Sequence, residues 1–246
     1  MIHLITYGDA KYTKSKQRLY NQALKTKWFN SFTNYGPENI DNNFKSQFKN
    51  LLDEPRGGGY WIWKPYIIKK KLNEIRYNDI LIYLDAGCSI NPLGKKRLIE
   101  YIKMLNMNDS GIISFQTKCI EKFYTTKDIF NHFNLTLDSQ IAKSEQIVGG
   151  VLIIKKNMNS IRLIDTWIKT LNENPLLFTD HYNKKDQASC FKDNRHDQSI
   201  FSIIRKMNNP LLIRDETWFP NFGSNESLIY PFWATRINDK IHSITN

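Results

Sequence analysis

Several things are absent from this chain, and each absence closes a possibility. No apolar run in its 246 residues approaches the ~20 needed to cross a bilayer. The longest stretches, Ile80–Leu84 and Val148–Ile154, are strand-sized. Cysteine is sparse: Cys88, Cys119 and Cys190 lie far apart with no CxxC or Cys/His zinc spacing. This argues against a disulfide framework or structural zinc and for a reducing compartment. There is no GxxxxGK loop followed by Ser or Thr, and no GxGxxG after the first strand, so neither nucleotide fingerprint is present. The start, MIHLITYGDAKYTK, reads directly into a strand and has no secretory-signal pattern. A cytoplasmic location is expected.

What is present is globular. Hydrophobic residues make up 41% and aromatics 13%, and the length suits one domain with a substantial core. The net charge of +11 raises the possibility of a nucleic-acid-binding module. The lysines are scattered, however, and the densest group, Lys69-Lys70-Lys71, sits on a helix. Such a surface could attract nucleotide phosphates, an acidic glycan or, peripherally, an anionic membrane.

Strands and helices alternate. Ile2–Tyr7, Ser31–Tyr35, Ile80–Leu84, Gly111–Gln116 and Leu211–Arg214 read as strands, and Gln146–Lys155 as a strand interrupted by Gly149-Gly150. Helices are expected over Thr13–Phe29 (capped near Thr13 or Ser15), Ile40–Leu52, Trp63–Ile75, Leu93–Met107, Lys118–Phe133, Ser160–Leu171 and Asp197–Met207. Such alternation predicts an α/β fold with a mainly parallel central sheet flanked by helices, and ligands outside the carboxyl ends of its strands.

The segment Arg56–Pro92 carries most of the chemistry. An apolar strand, Ile80–Leu84, delivers Asp85 into a small-residue turn, Ala86-Gly87-Cys88. A carboxylate there can hold Mg²⁺ or Mn²⁺ against a diphosphate, or merely cap the turn. Arg56-Gly57-Gly58-Gly59 reads as a hinge or a phosphate-binding nest. Lys64 stands at a helix start, where its charge opposes the dipole, so it is either aimed at an anion or solvated. Gly149-Gly150 marks a bulge or a close approach to ligand. In Arg195-His196-Asp197-Gln198, Asp197 is an N-cap or a general base. His242 is a candidate extra metal ligand.

In this order, Thr6-Tyr7, RGGGYWIWKP, YLDAG, the VGG strand and HDQS resemble a GT-A glycosyltransferase of the small nucleotide-sugar-dependent type found in polysaccharide biosynthesis clusters and large DNA viruses. The resemblance spans roughly residues 2 to 205. It implies a Rossmann-like sheet, a nucleoside-diphosphate sugar donor (a UDP-sugar favoured), Mn²⁺ or Mg²⁺, and a glycan or glycoprotein acceptor, with no nucleic acid expected. Residues 1–117 would form the donor half, and 118–246 the acceptor side and tail of a single domain. On that reading Thr6, Tyr7, Arg56, Lys64, Asp85, Ala86 and Gly87 bind the donor. Asp85 and His242 hold the metal, Gly149, Gly150 and His196 line the sugar or acceptor, and Asp197 or Gln198 faces the anomeric carbon. If Asp197 deprotonates the acceptor the reaction inverts; if Gln198 lies beneath the anomeric carbon it retains. One departure is plain: glycine at 87 replaces the second carboxylate of the family's DxD. A nucleic-acid-binding module and an inactive glycan- or nucleotide-binding relative are the rival readings.

Overall fold

The computed structural model describes residues 1–239. The central sheet is built from β1 (Ile2–Tyr7), β2 (Ser31–Tyr35), β3 (Ile80–Leu84), β4 (Ile112–Ile120), β5 (Glu145–Ile147), β6 (Val151–Lys155) and β7 (Leu211–Arg214). Their order is β2-β1-β3-β6-β4-β7, with β5 lying beside the far end of β4. β1, β2, β3, β4 and β7 run one way, while β5 and β6 run against them. β5 and β6 are the expected single strand, broken at Val148-Gly149-Gly150, where the Val148 N–H still donates to the Phe115 carbonyl (2.8 Å).

Five longer helices cover the sheet: α1 (Thr13–Thr26), α2 (Trp63–Glu74), α3 (Lys95–Asn106), α4 (Met158–Glu173) and α5 (Asp197–Lys206). Strand alternation divides the core. In β3, Leu81 and Tyr83 pack with Ile67, Leu72, Trp167 and Phe201 on the α2/α4/α5 face. Ile80, Ile82 and Leu84 pack with Leu19, Leu98 and Leu105 under α1 and α3. Burial on both faces explains why these strands read as unbroken apolar runs.

Three expectations are corrected. Ile40–Leu52 is two short helices, Asn42–Gln47 and Lys49–Leu52. Lys118–Phe133 is not one helix: β4 runs on to Ile120, where it pairs with Glu145, and two short helices follow, Glu121–Tyr124 and Lys127–His132. α1 stops at Thr26, where Lys27 turns left-handed (φ 56°), and its start is capped from the distant tail. Asp239 accepts from the N–H groups of Lys14 (3.0 Å) and Ser15 (2.9 Å). The lysine triplet is engaged within the protein: Lys69 pairs with Asp165 (2.5 Å), Lys70 donates to the Asn39 carbonyl, and Lys71 pairs with Glu74.

Candidate active site

A cleft of about 1310 Å³ opens over the carboxyl ends of β1, β3 and β4 and the start of α5. Its floor is an ion cluster. The N-terminal end of α2 places Lys64, 2% exposed, between two carboxylates. Its Nζ lies 2.6 Å from Asp197 Oδ2 and 3.4 Å from Asp85 Oδ1, and it donates to the Gly149 carbonyl at 3.4 Å. Three N–H donors thus meet three protein acceptors, so the anion that Lys64 was expected to find is the protein's own. Burial works against the ammonium, but Asp197 and Asp85 together hold its pKa above the ordinary value.

Asp85 is the cluster's open member, its side chain 43% exposed. Tyr83 donates to Oδ1 at 2.5 Å. One ammonium and two carboxylates leave an excess negative charge that faces the cleft through Asp85. A Cβ on Gly150 would sit 2.6 Å from Asp85 Oδ2, and one on Gly149 would meet Gln198 Cβ at 2.9 Å. The paired glycines therefore let the β5–β6 break run against both side chains. Gly150→Ala is expected to displace the Asp85 carboxylate while costing about 1–3 kcal/mol of stability; a thermal melt beside a crystal structure of the variant would show both.

The Asp85-Ala86-Gly87 turn is clamped from the tail. The Thr235 hydroxyl (2.7 Å) and the Ile237 N–H (3.0 Å) both donate to the Gly87 carbonyl. A Cβ at position 87 would lie 2.9 Å from the Ile237 carbonyl oxygen and 3.2 Å from Arg236 Cα. Tail backbone fills the space that a second carboxylate would need. Ala86 and Gly87 line the cleft. Cys88 is buried, and burial pushes its thiol far up, in keeping with a filler role.

The opposite wall is strained. Gly57, Gly58, Gly59, Tyr60 and Trp61 form an unbroken run of positive φ. Left-handed backbone costs roughly 1–2 kcal/mol at each non-glycine, so packing must hold Tyr60 and Trp61. Trp63 Nε1 donates to the Gly57 carbonyl (3.0 Å), and the Tyr60 and Trp61 rings rest on His196. His196 itself has φ 52°, ψ −119° and bonds Asp180 through Nε2 (2.9 Å). Burial lowers its pKa against the pull of Asp180. Arg56 is also at the cleft, paired with Asp180 (2.6 Å) and Asp193 (3.5 Å).

Not every expected residue reaches the site. Thr6, expected at the nucleoside, is fully buried and spends its hydroxyl on the Leu84 carbonyl (2.7 Å). Tyr7 does line the cleft, its ring stacked on Trp63 at 3.7 Å. Asp197 is 4% exposed and ion-paired, which makes it a poor base for an acceptor hydroxyl. Gln198 accepts from the Gly149 N–H (3.0 Å) and donates to Gln146 Oε1 (2.7 Å). His242 lies outside the described residues.

Sequence reasoning missed what stands behind Gln198. Glu121, fully buried, accepts from Thr125 (2.7 Å), Ser202 (2.5 Å) and Gln146 (2.9 Å) and pairs with Lys206 (2.6 Å). The chain Glu121–Gln146–Gln198–Gly149 fixes the glycine break. A glutamate opening a short helix reads as solvated, and no spacing announces its partners.

Among the described residues, no group of three or more Asp, Glu, His or Cys side chains is gathered to hold a metal. Asp85 offers a half-exposed carboxylate and an excess negative charge. This fits Mg²⁺-type binding, where one or two carboxylates act with substrate phosphates, rather than a cage built by the protein alone.

The fold defined by this sheet and cleft is the GT-A fold. The chain is similar to a solved glycosyltransferase involved in glycosylation of the major capsid of PBCV-1, at 12% identity over 94% of this chain and 92% of that one, with a TM-score of 0.52. It is also matched to mouse xyloside xylosyltransferase 1 (10% identity, 95% and 97% covered, TM-score 0.48) and to the galactosyltransferase LgtC solved with donor and acceptor sugar analogs (11%, 96% and 84%, TM-score 0.43). At 12% identity the first of these likenesses establishes the fold alone. No protein-family model matches the chain, and no curated protein matches it.

Proposed function

We propose that this protein is a glycosyltransferase that moves a sugar, of hexose type, from a nucleoside-diphosphate donor, a UDP-sugar favoured, to a hydroxyl of a glycan or glycoconjugate. The observation that carries the reading is Asp85: a half-exposed carboxylate at the carboxyl end of the buried strand β3, facing a cleft at the strand ends of a GT-A sheet. Tyr7 and the Ala86-Gly87 turn lie where the donor's nucleoside and phosphates would rest. Gly149 and Gly150 keep the floor low enough for a sugar ring over Gln198. Asp197 acts through Lys64, holding that floor together, rather than as a base.

Asp85 is the residue that would hold Mn²⁺ or Mg²⁺, with His242 a further candidate ligand. When bound, the ion would neutralise charge on the departing diphosphate. Asp85 would hold the ion, the tail clamp on Gly87 fixes the turn that carries Asp85, and Trp61 walls one side of the cleft.

Because Asp85 is the open carboxylate of the ion cluster and no group of three ligands is gathered among the described residues, metal and nucleotide should bind together. Calorimetry with Mn²⁺ alone is expected to give no saturable heat, while Mn²⁺ with a nucleoside diphosphate does; saturable binding of the ion alone would mean a complete metal site. The reading itself is tested by nucleoside diphosphate release from UDP-, GDP- and dTDP-sugars. Release from none of them, with or without a saccharide acceptor, would count against it.

A further inference from the structure

The cleft is larger than one ligand requires. Its volume of about 1310 Å³ exceeds the ~300–1,000 Å³ usual for a single small molecule, and its two halves differ in kind. One holds Tyr7, Trp63 and the Asp85–Gly87 turn; the other is walled by the residues after β7, among them Asp215, Trp218, Glu226 and Tyr230. In this second half Trp218 is 51% exposed, although Thr217 and Phe219 on either side of it are buried.

The residues around the exposed indole in the chain are fixed. Phe219 stacks on Tyr230 (5.3 Å between centroids, 18° between planes), Phe222 leans on Trp233, and Trp233 Nε1 donates to the Ser227 carbonyl at 3.0 Å. Asp215 is equally fixed. Its N–H donates to the Gln116 carbonyl (2.9 Å), which ties it to the end of β4. Its Oδ1 accepts from the N–H (2.9 Å) and hydroxyl (2.7 Å) of Thr217. A large apolar face left in water within a cleft is where a ligand with an apolar face gains most on binding.

A pyranose has that chemistry. Its axial C–H groups form an apolar face that packs on an indole, and the hydroxyls around its rim donate to carboxylates. The geometry points to a second saccharide subsite at Trp218 and Asp215, taking a pyranose ring stacked on the indole with a hydroxyl donated to the carboxylate. That the ring belongs to the acceptor rests on the function proposed above; the subsite itself does not.

Saturation-transfer NMR on the full chain with maltose, lactose and cellobiose, run beside calorimetry with UDP, GDP and dTDP, separates the two. At least one disaccharide is expected to take up saturation from the wild type. Trp218→Ala should weaken it at least about fivefold and Trp218→Phe should restore part of the loss, with nucleotide affinity held within about twofold. Asp215→Asn should weaken the same disaccharide. The subsite is wrong if no disaccharide binds the wild type, or if Trp218→Ala binds it equally well. Loss of nucleotide affinity in Trp218→Ala would also overturn it, by making the indole a platform for the donor's base. Disaccharide binding without binding of any nucleotide would sink the donor reading and leave the subsite standing.

Discussion

Lys64→Met is expected to lower the stability of the protein by about 3–5 kcal/mol and to abolish turnover. The substitution keeps an unbranched side chain close to the same length and removes the charge together with its N–H donors. Asp197, 4% exposed and 2.6 Å from the ammonium, is then a buried carboxylate without a counter-ion. Breaking a buried pair from one side costs far more than replacing both partners. For a chain of this size the loss corresponds to a fall in Tm of about 6–20 °C. The double variant Lys64→Met/Asp197→Leu should recover most of the stability because no uncompensated charge remains, yet stay inactive because Asp85 has lost its partner and the Gly149 carbonyl its donor. Thermal melts of the two variants check this. A single variant as stable as the wild type would mean that Asp197 is already neutral and that no ion pair holds the cleft floor.

Asp85→Asn is expected to behave in the opposite way. The side chain is partly open to the cleft, and the amide can still accept from Tyr83, so Tm should move by a few degrees at most. Turnover of the nucleotide sugar should fall about 10²–10³-fold, the size seen when one electrostatic stabiliser of a developing charge is removed. Together the two substitutions separate a charge that holds the protein from a charge that serves the ligand. Equal turnover by Asp85→Asn and the wild type would remove Asp85 from the reaction.

Much of this was legible in the sequence, for a physical reason. β1, β2, β3 and β7 have the expected bounds because an apolar strand between turn residues needs no knowledge of its partners. The same holds for Asp85, the first charge after a fully buried strand. The glycine break was visible too, but not what it accommodates, since Gly150 meets Asp85 only once β6 lies beside β3. Lys64 illustrates the limit. Its place at a helix start pointed to an anion, but the partner is 133 residues away and is set by topology. Thr6 was misplaced because its neighbour Tyr7 is at the cleft while strand alternation turns Thr6 away from it, onto the Leu84 carbonyl. The helix expected over Lys118–Phe133 failed because the polar residues Thr117 and Lys118 continue β4 at the rim, paired to a strand that begins only at Glu145. Gly87 was read as a missing ligand; the tail that crosses it supplies the steric reason.

The most direct test of the central claim is calorimetric titration of the full chain with UDP, GDP and dTDP in the presence of Mn²⁺, repeated on Asp85→Ala. Saturable binding of at least one nucleotide to the wild type, weakened at least about tenfold in the variant, is the expected result. No saturable binding of any of the three, or equal affinity in the wild type and Asp85→Ala, would contradict it.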